Sequence, residues 1–138
     1  MGYDLYNANK CFRFSESQWI RVLILAQRFG WKPMGTIITE ESAKMNMGKM
    51  SSNEEAVQNY IKRWEGNYNG NDFQLVVKED ALNLAHALMK AMEVMEVLPD
   101  EKNVLDFLST KDYFSSKEWK NRINEFILFC ETGEFDIT

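Results

Sequence analysis

Apolar residues crowd the stretch after Ser15: Trp19, Ile20, Val22, Leu23, Ile24, Leu25, Ala26 and Phe29. Wound into a helix they run almost all the way round it, which predicts a largely buried helix. Its start is well marked. In Phe14-Ser15-Glu16-Ser17-Gln18-Trp19, Ser15 is placed to cap the third helical amide and Gln18 to reach back. Phe14 can then staple onto Trp19. Gly30 is a natural residue to follow the helix end. The same device recurs at Phe114-Ser115-Ser116-Lys117-Glu118-Trp119, where Ile123, Phe126, Ile127 and Cys130 continue a helical stripe. The downstream residues do not match, so two helices share a way of starting rather than a duplicated domain.

Two more helices lie between. Ser52-x-x-Glu55 opens one, with Val57, Tyr60, Ile61 and Trp64 at helical spacing. Residues 78–98 form the longest, with Ala81, Leu84, Ala85, Leu88, Met92 and Met95 on one stripe and Pro99 as its breaker. Val104, Leu105, Phe107 and Leu108 suggest a further short turn of helix. Strand patterning is sparse. Residues 73–77 are the best candidate, pairing either across an Asn69-Gly70 turn or with residues 35–39. Residues 40–53 read as an exposed loop, mobile or partly helical.

The segment WEGNYNGNDF, residues 64–73, stands apart: three aromatics, three asparagines and two glycines in ten residues. A hairpin turn at Asn69-Gly70 would project Trp64, Asn67 and Tyr68 together. Trp64, Asn67, Tyr68, Asn69 and Asn71 are therefore the candidate binding residues. The plainer reading of Trp64 is that it ends the stripe Val57, Tyr60, Ile61 and closes the core.

Composition narrows the setting. A chain of 138 residues with 45% hydrophobic and 27% charged residues fits one globular domain spanning residues 1–138. A formal charge of -5 argues against nucleic acid and is compatible with a basic protein partner. Cys11 and Cys130 form neither a metal spacing nor a disulfide framework, which suits a reducing cytoplasm. The first residues lack a basic start followed by an apolar run, so no signal peptide is expected, and no stretch is long enough for a membrane span.

No motif for chemistry is complete. Glu65 to Gly70 imitates the opening of a calcium loop, but the twelfth position, which needs a bidentate Glu, is Val76. Met45, Met47 and Met50 resemble soft-metal thioethers without an adjoining His or Cys; with Met89, Met92 and Met95 they suit core or a soft contact face better. His86 is the only histidine, placed on the long helix as a boundary residue would be. Glu79 and Asp80 are neighbours whose side chains diverge by about 100° on a helix, and dipole compensation explains both. The arginines are scattered, with no phosphate-binding loop. Neither metal nor cofactor is expected.

Three blocks together resemble a family of small bacterial proteins without assigned function. They are Phe12-Arg13…Trp19…Gly30-Trp31-Lys32-Pro33-Met34-Gly35-Thr36, then residues 71–88 with Asn71-Asp72, Val76, Glu79-Asp80-Ala81 and Leu84-Ala85, and a C-terminal block from Phe126 to Ile137. The resemblance implies a compact bacterial domain and supplies no activity. Two departures stand out: Phe73 replaces a glycine of the pattern, and residues 40–63 look inserted or divergent.

The sequence thus predicts a mainly α (α+β) domain, with about four main helices around one core and a small β-hairpin or short sheet. Its expected function is non-catalytic protein–protein interaction, of the immunity or inhibitor type that blocks a toxin or enzyme. The alternative is a small-molecule or glycan binder using the 64–71 turn. A third reading is an enzyme with a site at His86 and Glu79.

Overall fold

The computed structural model describes residues 2–97 and 117–138. The second capping box around Ser115, Pro99 and the apolar run at residues 104–108 lie outside them. The chain is mainly α with a small antiparallel sheet. It opens with a hairpin the hydrophobic pattern had not marked: β1 (Gly2–Tyr6) pairs with β2 (Cys11–Ser15). Tyr3 and Leu5 alternate inward opposite Phe14 and Phe12, so all four meet on one face. Asn7 makes the turn. Its Oδ1 accepts from the amides of Asn9 (2.9 Å) and Lys10 (2.8 Å), a side-chain mimic of a backbone turn.

β2 runs straight into α1 (Glu16–Arg28). The capping box forms as expected: the Gln18 amide donates to Ser15 Oγ and the Ser15 amide to Gln18 Oε1. Phe14 and Trp19 stack with centroids 5.9 Å apart, completing the staple. Gly30, at φ 104, lets the chain reverse so that the Trp31 amide bonds back to the Ala26 carbonyl. α1 is less enclosed than its composition suggested, since Ile20 is 37% exposed and Ile24 is half-buried.

Residues 40–53, expected as a loop that is mobile or partly helical, are helical over most of their length: α2 (Glu40–Met47), a 3-10 turn (Gly48–Ser52), then α3 (Glu54–Lys62), which starts after Asn53 rather than Ser52. Thr39 caps α2 and Asn53 caps α3. β3 (Gln74–Val76) follows, then α4 (Lys78–Val97), α5 (Lys117–Glu131) and β4 (Phe135–Ile137). The sheet order is β2-β1-β4-β3, antiparallel throughout. Its inner face packs on α1, α4 and α5. Phe12, Phe14, Trp19, Phe126, Phe129 and Phe135 form a contiguous aromatic core.

The buried side chains fall into two groups. A small second cluster gathers Ile38, Ala43 and Val57, with Met47, Tyr60, Ile61 and Trp64 packed against it. Met47 belongs to this cluster and Met92 to the main core, while Met45 and Met89 are exposed.

Candidate functional site

The expected hairpin across Asn69-Gly70 does not form. The partner of β3 is β4, with a single bridge from Leu75 to Ile37 on its other side. Four hydrogen bonds hold the 64–73 segment as an irregular loop instead. Buried Gln74 donates from Nε2 to the carbonyls of Gly70 (2.9 Å) and Asn67 (3.3 Å), while its Oε1 accepts from the Asp72 amide. The Thr36 hydroxyl donates to the Asn67 carbonyl at 2.6 Å. The turn into β3 falls at Phe73, the one described non-glycine residue at positive φ (59°).

This geometry separates Trp64 from Tyr68 rather than projecting them together. Trp64 packs on the small cluster and donates its indole N–H to Thr36, at 3.1 Å from the carbonyl and 3.2 Å from Oγ1. Tyr68 packs on the main core, its ring edge-on to Trp31 with centroids 5.1 Å apart. Asn71 donates to the Gly2 carbonyl. Asn67 and Asn69 are exposed, and their carboxamides have no hydrogen-bond partner among the described residues.

Beneath Tyr68 sits a residue whose role the sequence reading understated. Asp80, in the first turn of α4, is fully buried. It accepts from the Trp31 indole N–H (2.9 Å), from the Tyr68 hydroxyl, and more distantly from the Met34 amide. The Tyr68 oxygen in turn accepts from the Gly35 amide at 2.9 Å, and the Tyr68 carbonyl takes the Trp19 indole N–H at 2.8 Å. Burial and the Asp80 carboxylate hold the Tyr68 hydroxyl far above the usual phenol range. Dipole compensation therefore describes exposed Glu79, whereas Asp80 is a buried knot joining three segments. A signal existed in the sequence: an acidic residue on the apolar stripe beside Ala81, with a polar-tipped tryptophan upstream.

Asn67, Tyr68 and Asn69 line one side of a shallow groove of about 290 Å³. Ile20, Leu23, Ile24 and Gln27 of α1, with Trp31 and Pro33, form the rest. The α1 residues went unrecognised as surface because an all-round apolar helix looks like pure core. The aromatic pair Tyr60 and Trp64 faces a different groove of about 480 Å³, with Met47, Ala56, Asn59 and Arg63. A third, of about 640 Å³, runs between the outer sheet face (Tyr6, Leu75, Asp136) and the start of α2 (Thr39, Glu41, Ser42). There burial and neighbouring Glu134 raise the carboxyl of Asp136 above its ordinary range.

His86 is exposed on α4 and lines none of these grooves. Among the described residues no group of three or more His, Cys, Asp or Glu could hold a metal ion. Val76, at the position a calcium loop needs for glutamate, is fully buried in β3. Cys11 is exposed and Cys130 buried, its thiol pushed up by burial. No described helix is long and apolar enough to cross a membrane. Comparison with protein-family models, curated proteins and solved structures finds no match.

Proposed function

We propose that this chain is a non-catalytic protein–protein interaction module, of the immunity or inhibitor type, that docks its partner on the groove between α1 and residues 66–69. One observation carries the reading: two unengaged carboxamides, Asn67 and Asn69, stand on a braced loop beside exposed apolar side chains. A braced loop loses little conformational freedom on binding. Ile20 and Ile24 offer apolar area, and the amides can bond a partner's backbone or side chains. The negative net charge favours a partner with a basic rim.

The test is site-specific photo-crosslinking from Asn67 in the native cell, with the adducts identified by mass spectrometry. The reading expects a single protein adduct that disappears with Ile20→Glu, while the Ile20→Glu variant keeps its melting midpoint. Adducts to many proteins, unaffected by Ile20→Glu, would refute it.

The second reading, a small-molecule or glycan binder, draws support from a different place than the 64–71 turn. The rings of Tyr60 and Trp64 lie 28° from parallel beside Asn59 and Arg63, an arrangement of aromatic faces and polar groups suited to a sugar. A glycan array that quenches Trp64 fluorescence, and loses that response with Tyr60→Ala, would favour it over the first.

A further inference from the structure

We infer that residues 38–64 form a lobe that swings as a unit against the sheet, with Asn46 as its latch. Four observations converge on this. First, the lobe has its own apolar cluster, separate from the main core. Second, α2, the 3-10 turn and α3 pack on one another, and among the described elements neither α2 nor α3 forms a substantial packing interface with the main body.

Third, the lobe joins the main body through a narrow neck whose two strands approach closely. Gly35 and Gly66 sit at φ 93 and 77, and a Cβ on Gly66 would stand 3.0 Å from the Gly35 Cα. The neck's own bonds, Thr36 amide to Gly66 carbonyl and Trp64 indole to Thr36, tie its incoming and outgoing strands to each other. The Ile37–Leu75 bridge anchors the base of the neck to β3, at 2.9 and 2.8 Å, leaving the lobe to pivot beyond it. Besides Trp64, whose indole bonds Thr36 at the neck, one described lobe side chain bonds beyond the lobe: Asn46 Nδ2 donates to the Asp72 carbonyl at 2.6 Å. Its other contact, with the Tyr60 hydroxyl at 3.3 Å, stays inside the lobe.

Fourth, a groove of about 640 Å³ lies where a swing would act. Thr39, Glu41 and Ser42 form its lobe wall; Tyr6, Leu75 and Asp136 form its sheet wall. Rotation about the neck changes the width of this groove while leaving both cores packed, because packed units move as rigid bodies about a few backbone positions. The inference does not rest on the docking surface proposed above, the groove between α1 and residues 66–69, although Gly66 belongs to both.

Spin labels report the motion. In a Cys11→Ser background, with Cys130 buried and unlabelled, one pair is placed across the groove at Asn9→Cys and Glu41→Cys. A second pair lies within the lobe, at Glu41→Cys and Gln58→Cys. Double electron–electron resonance is expected to give a broad cross-groove distance distribution and a narrow one within the lobe. Asn46→Ala should widen and shift only the cross-groove distribution, and Asn46→Gln, which keeps a carboxamide, should shift it less. A cross-groove distribution as narrow as the internal one and indifferent to Asn46→Ala would overturn the swing. Equal broadening of both pairs would overturn it too, by showing that the lobe unfolds instead of moving.

Discussion

Asp80 shows how one buried side chain can organise three segments. A carboxylate removed from water is tolerable only when its oxygens are bonded, and here the Trp31 indole, the Tyr68 hydroxyl and the Met34 amide provide the donors. Its place in the first turn of α4 adds the favourable end of the helix dipole. Asn in its place would present an N–H where Tyr68 needs an acceptor, and the hydroxyl proton would lose its partner. Asp80→Asn is expected to lower stability by about 1–3 kcal/mol, measured by denaturant unfolding. Tyr68 gives the same knot a pH signature. Its folded pKa is raised, so the stability it contributes is complete below the unfolded value of about 10 and is lost as pH rises through the folded one. Buried Tyr3, raised by burial and by Glu16, acts in the same direction. Stability should therefore fall on the alkaline side of about pH 10, and less steeply in Tyr68→Phe. An identical alkaline slope in that variant would show that Tyr68 does not couple to folding.

At the scale of elements, α1 displays its logic most openly, because its start signals are local. Ser15→Ala removes the acceptor of the Gln18 amide and should cost about 1 kcal/mol. Trp19→Ala deletes a fully buried ring that touches Phe14 and Phe126 and donates to the Tyr68 carbonyl. It should cost roughly 3–5 kcal/mol. Urea titration of both variants checks the ranking; equal losses would mean the cap and the core are not separable. The elements legible in the sequence are those specified by neighbours in the chain: the capping box, the stripe of α4, the glycine after α1. The β1–β2 hairpin was not legible, because two five-residue strands carry only two inward side chains each. Their turn depends on a single Asn7 side chain. The extent of helix in residues 40–53, read as mobile or partly helical, was obscured by a polar composition whose caps, Thr39 and Asn53, matter only once Ala43 and Val57 find each other. The Asn69-Gly70 hairpin failed for the converse reason. Its local turn preference lost to Gln74, just beyond the loop, and to Thr36 and Asp80, more distant in the chain, which bond it from outside the turn.

Across the whole molecule, residues 64–73 are the seam between two clusters, and this changes what their aromatics are for. Trp64 is engaged with the small cluster and Tyr68 with the main core. Replacing Tyr68 by Ala would leave the Gly35 amide and one oxygen of Asp80 without their partners, and would hollow the space beside Trp31. Unpaired buried groups cost about 1–3 kcal/mol each. Asn67 and Asn69 differ: their carboxamides are exposed and unengaged among the described residues, while the backbone around them is held by Gln74. Surface substitutions away from such networks usually stay within about 0.5 kcal/mol. Tyr68→Ala should therefore lower the denaturation midpoint strongly, and Asn67→Ala with Asn69→Ala should leave it nearly unchanged. If the groove beside α1 is the docking surface, the asparagine pair weakens partner binding at full stability, since a partner bonding those amides loses its contacts without any change in the loop's bracing. A midpoint lowered as much by the asparagine pair as by Tyr68→Ala would show that the exposed amides also hold the seam together, and would remove the ground for reading them as a surface kept free for a partner.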